Sequence, residues 1–317
     1  MNLLEEIRKK IRIINEYRDI NGLNSILSHI ERAEVFLYRG KEEDDDQLFT
    51  DVIYRTNHAF EGILKEAYIV LAKKNANKKS PYQIEDYFIN HNIFNERVLE
   101  LFRNYRHNWR NPSTHDYNLF FSETEAFLAI ISVSSFIHVL LDQIIECLSF
   151  ESEQLYIRDI AGDIRDKIKN YEEISLFERI QELLLNFDLS KFKNKKKEAF
   201  VEVELLGAIH AYFIQMDEKI NVHREPEMKL LNKKSGNPDF VIEKMNQKVI
   251  IEVKTTLRKN TLKLGLHQLE NFLKYTEAKE GILFALSKTD DLDINNKQLY
   301  ERFDDLKIAV IVPKDLK

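Results

Sequence analysis

Pro238-Asp239-Phe240-Val241-Ile242-Glu243-Lys244-Met245-Asn246-Gln247-Lys248-Val249-Ile250-Ile251-Glu252-Val253-Lys254 is the stretch that decides how this chain is read. Two runs of alternating and β-branched residues flank a polar turn, which predicts a β-hairpin. A turn centred between Met245 and Asn246 sets Asp239 opposite Glu252, Val241 opposite Ile250 and Glu243 opposite Lys248. Directly opposed residues have Cβ atoms about 5 Å apart, close enough for two carboxylates to share one divalent cation. Lys254 lies two residues beyond Glu252 and projects from the same face. Glu252 interrupts the apolar run Val249-Ile250-Ile251-Glu252-Val253, where a carboxylate is costly unless paired or metal-bound.

Outward from the hairpin, residues 191–317 read as a mixed sheet flanked by helices. A helix is expected over 195–216, and strands over 222–230, 239–243, 248–255, 281–287 and 307–312. Further helices are expected over 262–275 and 296–303. In this order, Pro238-Asp239 followed by Glu252-Val253-Lys254 resembles the PD-(D/E)xK nucleases, the restriction-endonuclease-like fold. The resemblance implies metal-dependent phosphodiester hydrolysis, of DNA in the first instance. Asp239 and Glu252 would bind Mg²⁺ or Mn²⁺, and Lys254 would orient the attacking water or stabilise charge on the phosphorane. It also implies a carboxylate on the first helix. Glu198, Glu202 and Glu204 are the candidates; the family pattern favours Glu202 as a further metal ligand. Gln268, in His267-Gln268-Leu269, resembles an additional polar residue on the second helix of some members.

Residues 1–150 have helical period throughout and no convincing strand period. Helices are expected over 3–20, 23–38, 46–74, 81–88, 95–108 and 123–150, with Pro81 opening the fourth at its first turn. Residues 110–117 read as a turn containing Pro112. Residues 151–190 read as one or two charged connecting helices. The fold class expected is therefore multidomain α + α/β. An N-terminal all-α domain (1–150) is joined by a helical connector (151–190) to a C-terminal nuclease-like domain (191–317).

Within the all-α part, Arg110-Asn111-Pro112-Ser113-Thr114-His115 fits R-N-x-x-x-H. This motif in an all-α surround resembles the HEPN domain. The resemblance implies metal-independent RNA cleavage. His115 would transfer a proton near neutral pH, Arg110 would hold a phosphate bidentately, and Asn111 would position either group. It also implies a homodimer through this domain. Asn57 and Glu61 are candidates for supporting the motif. His107 and Trp109 read as structural, although Trp109 offers a ring on which a base can stack.

Composition bounds these readings. The 317 residues include 44% hydrophobic and 32% charged side chains, which is globular. One cysteine, Cys147, excludes an internal disulfide framework. The net charge of −6 rules out a polycation but not local phosphate-binding patches. The basic run Lys191 to Lys197 and the acidic run Glu42 to Asp46 read as solvated segments. Met1-Asn2-Leu3-Leu4 runs straight into Glu5-Glu6, and the apolar segment from Ala126 to Leu141 is short for a membrane span of about 20 residues. The expectation is a soluble cytoplasmic protein with nucleic acid, DNA or RNA, as its partner. Together the resemblances suggest a nuclease of a prokaryotic anti-phage defence or toxin type. Two alternatives stand beside it: a DNA nuclease whose HEPN domain only dimerises, and a catalytically silent nucleic-acid-binding or regulatory protein.

Overall fold

The hairpin turns at Met245-Asn246, where Met245 has a left-handed φ of 53° and a side chain that is 96% exposed. The protein is described by a computed structural model covering residues 2–115, 120–193, 201–229, 235–257, 259–287, 296–302 and 306–313. It divides into two compact units, Met1–Leu148 and Ser149–Lys317.

The first unit is all helical: α1 (Leu3–Tyr17), α2 (Asn21–Glu43), α3 (Asp46–Leu71), α4 (Pro81–Asn90), α5 (Glu96–Tyr105), α6 (Asn111–His115) and the first part of α7 (Glu123–Lys167). Its core is built on α3, where Val52, Ile53, Ala59, Phe60, Ile63, Leu64 and Ala67 follow helical spacing and are buried. Phe60 meets Phe102, Tyr105 and Phe136 with ring centroids 5.3, 4.6 and 5.2 Å away. The α2–α3 hairpin is tight. Asp44 ends α2 in the left-handed region and Asp45 caps α3 by accepting from the Gln47 N–H. A Cβ at Gly40 would stand 2.6 Å from the Phe49 ring, so only glycine fits there. Pro81 starts α4 behind a Ser80–Gln83 capping box.

Residues 110–115 are helical rather than a turn. α5 passes into a π-helical turn, Arg106–Arg110, in which the Asn111 N–H donates to the Arg106 carbonyl, and α6 follows. The cause is Pro112. Proline lacks an N–H and clashes with the carbonyl of the preceding turn, and a widened turn accommodates it without ending the helix.

α7 also differs from expectation. It runs 45 residues, through the border expected at 150. Nothing in Phe150 to Lys167 except Gly162 opposes a helix. It is long and apolar enough to cross a membrane by length and composition, and 56% of its most apolar window is buried within the fold. The segment expected as a connector belongs to the second unit. Ile157, Ala161 and Ile164 from the end of α7 share one core with Leu176, Phe177, Ile180, Leu183 and Leu184 of α8 (Leu176–Leu185) and with the sheet.

The second unit continues with α9 (Ser190–Lys193), α10 (Glu202–Met216), β1 (Asn221–Arg224), β2 (Met228–Lys229), β3 (Ser235–Gly236), β4 (Phe240–Lys244), β5 (Gln247–Leu257), α11 (Lys259–Lys274), β6 (Glu280–Ser287), β7 (Asn296–Arg302) and β8 (Leu306–Val312). Six strands form a mixed sheet in the order β1-β4-β5-β6-β8-β7. β1, β4 and β5 are antiparallel, β5, β6 and β8 parallel, and β7 returns antiparallel on β8. The expected strand 222–230 stops at Arg224, and Met228–Lys229 pairs instead with Ser235–Gly236. Of the helix expected over 296–303, the described part, Asn296–Arg302, is a strand. Its backbone pairs with β8 from Asn296↔Val312 to Arg302↔Leu306. A weak local helical pattern yields there to the ladder partners that the β8 edge offers.

The sheet is covered on both faces, as period-two strands with two apolar faces require. Phe240, Ile242, Val249, Ile251 and Val253 pack toward α8 and α10. Val241, Ile250, Leu283 and Val310 pack toward Leu266, Leu269 and Leu273 of α11. Residues 239, 252 and 254 share the parity of Val241 and Ile250, which assigns them to the α11 face.

Candidate functional site

The β4–β5 register is Phe240↔Ile251, Val241↔Ile250, Ile242↔Val249, Glu243↔Lys248 and Lys244↔Gln247. One step further along the same register, Asp239 faces Glu252. Asp239 Oδ2 accepts from the Val253 N–H at 2.7 Å, and Lys254 Nζ donates to Glu252 Oε2 at 3.0 Å. Glu252 is 1% exposed, and its Oε1 has no hydrogen-bond partner among the described residues. The structure therefore brings Asp239, Glu252 and Lys254 together.

The electrostatics follow from the burial. Burial, and then the neighbouring Asp239, push the Glu252 carboxyl up to about 7, against the opposing pull of Lys254. Burial raises Asp239 too, while the Val253 N–H, Lys254 and Arg224 pull it down. Burial disfavours the Lys254 ammonium, but Glu252 and Asp239 outweigh it and hold its pKa above the ordinary lysine value. Lys254 is thus a cation at neutral pH, suited to stabilising negative charge rather than to taking a proton.

Glu202 opens α10, and its Oε2 accepts from the Thr255 hydroxyl at 3.1 Å and from the Thr255 N–H at 3.4 Å. Its charge acts on Asp239, Glu252 and Lys254, last among the influences on each. Glu204 is fully buried, with its carbonyl accepting from the Ser149 hydroxyl at 2.6 Å. Glu198 lies outside the described residues. Gln268 is exposed on α11. Among the described residues no group of three or more His, Cys, Asp or Glu is placed to hold a metal ion. The site is a carboxylate pair plus lysine, with Glu202 turned to Thr255.

Arg224 and Thr255 belong to this site and were not legible beforehand. Arg224 Nη1 donates to the Asp239 carbonyl at 3.1 Å, and its guanidinium lies 5.3 Å from the Phe240 ring. It arrives there through the β1–β4 register, Arg224↔Phe240, which no local sequence signal specifies. Nearby His210 is driven down to about 4 by burial and then by Arg224, so it is neutral at pH 7.

The first unit presents a separate arrangement. Arg110 Nε and Nη2 both donate to Glu61 Oε1 at 3.3 Å, and Nη1 donates to Asn111 Oδ1 at 3.3 Å. A relay fixes the backbone beneath it. The Tyr105 hydroxyl donates to Asn57 Oδ1 at 2.9 Å, Asn57 Nδ2 donates to Ser113 Oγ at 2.7 Å, and the Ser113 hydroxyl donates to the Arg110 carbonyl at 3.0 Å. Asn57 and Glu61 of α3 thus both engage the motif. A pocket of about 280 Å³ beside it is lined by Arg106, Arg110, Asn111, Glu85, Phe60 and Tyr82, among others. Arg106 is ion-paired with the buried Glu85. The backbone of His115 closes α6, one turn from Asn111; its side chain lies outside the described residues. Trp109 is buried, so its ring packs in the protein and offers no free face to a base. Of the basic run, Lys191 is ion-paired with Glu153, and positions 194–197 lie outside the described residues.

No protein-family profile matches the chain, and no curated protein or solved structure matches it.

Proposed function

We propose that this chain is a nuclease whose principal centre is Asp239, Glu252 and Lys254. The observation that carries the reading is Glu252: a carboxylate buried beside Asp239 in an apolar strand, with one oxygen unpartnered. Two such carboxylates repel in a low-dielectric site and are stabilised by a shared cation. The donor set fits Mg²⁺, which takes oxygen ligands, keeps several waters and needs only one or two carboxylates. When bound, such an ion polarises a phosphate oxygen and lowers the pKa of a coordinated water. Asp239 and Glu252 would hold it; Glu202, hydrogen-bonded to Thr255, would have to turn from Thr255 to join them. Lys254 would neutralise charge developing on the phosphate. The Val253 N–H fixes the Asp239 carboxylate so that little reorganisation is needed.

A second reading adds metal-free RNA cleavage at Arg110, Asn111 and His115. It is favoured by the Tyr105–Asn57–Ser113 relay and by the pocket beside Arg110. Arg110 would shift from Glu61 to a phosphate, and His115 would act on the ribose 2′-hydroxyl, which DNA lacks. Exposed Phe120, Phe127, Leu128 and Ile131, which follow this motif in the sequence, support pairing of two copies through this unit. The role proposed is that of a cytoplasmic defence or toxin-type effector, on the strength of the two sequence resemblances.

The test is a panel of wild type, Lys254→Ala, Asp239→Ala and His115→Ala on DNA and RNA, with Mg²⁺ and with EDTA. DNA cleavage should require the metal and be lost in the first two variants. RNA cleavage should survive EDTA and be lost in His115→Ala. DNA cleavage that persists in Lys254→Ala and Asp239→Ala would remove the hairpin from consideration.

A further inference from the structure

A third cluster of functional groups lies on the α2–α3 hairpin, away from both motifs in sequence. His29 and Arg32 are three apart on α2; Arg55 and His58 are three apart on α3, in mirrored order. Each pair therefore shares one helix face. Across the hairpin the His29 and His58 rings stack, 5.2 Å apart with 16° between their planes. The Arg32 and Arg55 guanidinium groups both lie over Phe36, 5.0 and 5.8 Å from its centroid. His29, Arg32 and Arg55 thus line one hollow, and Arg55 and His58 an adjoining one.

Two carboxylates, Glu31 and Asp51, also line the groove. Glu31 is taken up by Arg8 of α1, whose Nη2 donates to it at 2.6 Å. Asp51 stands one turn before Arg55 on α3 and lines the smaller hollow with it. Neither Arg32 nor Arg55 forms an ion pair among the described residues. His29 feels the crowding: burial, then His58, then Arg55 hold its pKa below the ordinary value. The standing positive charge of the groove is that of Arg32 and Arg55, and a bridging anion offsets the repulsion between them. The space for one is present. An open hollow of about 770 Å³ is lined by Arg32, Arg55 and His29, by Glu31, which is paired with Arg8, and by the hydrogen-bonding side chains of Asn24, Ser25 and Ser28. It adjoins, through Arg55, a second hollow of about 260 Å³ that holds Tyr54 and His58. Tyr54 is 50% exposed and offers a stacking face.

We propose that the α2–α3 groove binds the phosphates of single-stranded nucleic acid, with Arg32 and Arg55 on the backbone and Tyr54 against a base. Guanidinium forks match phosphate oxygens bidentately, and positive grooves edged by aromatic rings are how single strands are held without sequence preference. The site requires neither catalytic centre to be active, so its test stands apart from theirs.

The experiment measures fluorescence anisotropy of a labelled 20-nucleotide oligouridylate on full-length His115→Ala in EDTA, which silences cleavage at both centres. Adding Arg32→Gln and Arg55→Gln should weaken binding at least tenfold. It should also flatten the dependence of log affinity on log salt by about 1.4, since each phosphate contact on a single strand contributes about 0.7. Ser28→Glu, at an exposed position that leaves Phe36 covered, should weaken binding similarly even if the double variant folds poorly. Unchanged affinity in folded Ser28→Glu overturns the proposal. Displacement of the strand by uridine monophosphate at equal phosphate concentration overturns the strand as occupant. So does equally tight, Arg32-dependent binding of polyglutamate.

Discussion

Replacing Glu252 with glutamine should make the metal-free protein more stable while ending its metal-dependent activity. Glu252 titrates near 4.5 when unfolded and is pushed up to about 7 in the fold. At about 1.4 kcal/mol per unit, ionised Glu252 costs the folded state about 3 kcal/mol. Part of that cost is shared with Asp239, and glutamine keeps an acceptor for Lys254 Nζ, so a gain of about 1–3 kcal/mol is expected at pH 8. The direction with pH follows from proton binding. Below 4.5 the carboxyl is protonated in both states, and glutamine gains nothing. Between 4.5 and about 7 the unfolded chain releases the proton and the folded one keeps it, so wild-type stability falls as pH rises. Above that window the deficit is constant. For a unit the size of Ser149–Lys317, the gain corresponds to a melting shift of about 3–10 °C. Scanning calorimetry in EDTA at pH 4.5, 6 and 8 reads it directly, and Mg²⁺ at pH 8 should raise the wild type toward the variant. Parallel stability–pH curves for the two proteins, or equal Mg²⁺ effects on both, would refute the buried carboxylate pair.

Other outcomes are expected elsewhere in the chain. Asn57→Ala breaks two of the three bonds of the relay under Arg110 and should cost about 1–3 kcal/mol in urea unfolding; it should also reduce EDTA-resistant RNA cleavage. Lys10 is buried in α1, where Nζ bonds Asp142 at 2.7 Å and the His138 carbonyl at 2.9 Å. Lys10→Ala should lower stability by about 3 kcal/mol, and a loss below about 1 kcal/mol would show that this contact matters little. Met245→Gly relieves the left-handed φ at an exposed turn, where a non-glycine residue costs roughly 1 kcal/mol. A rise of about 0.5 kcal/mol in stability is expected once the greater freedom of glycine in the unfolded chain is subtracted.

What could be read in advance was whatever the chain states locally. The hairpin register was legible because a polar turn sits between two runs of period two, and a one-residue slip would turn every side chain to the wrong face. Glu252 announced itself by interrupting an apolar strand. The helices of the first unit declared themselves by spacing, and Pro81 by its preference for a first turn. What was not legible depends on partners distant in sequence. Arg224 reaches Asp239 only through the β1–β4 register, and Thr255 meets Glu202 only because α10 starts beside the end of β5. The strand Asn296–Arg302 carries a pattern that suits a helix, and pairing with β8 overrides it. The groove of His29, Arg32, Arg55 and His58 needs two helices to be seen, because either helix alone shows only scattered charges.

The π-helical turn at Arg106–Arg110 acts like a frameshift in the helical reading of the chain. It holds one residue more than an α-helical turn would, so everything after it is rotated by roughly 100° relative to an uninterrupted continuation of α5. A chain with the same six residues Arg110 to His115 but one residue fewer upstream would carry the same motif and present another face to α3. Asn57 and Glu61 would then meet different side chains. A matching R-N-x-x-x-H string is therefore incomplete as a description of this site; the spacing that precedes it is part of its meaning.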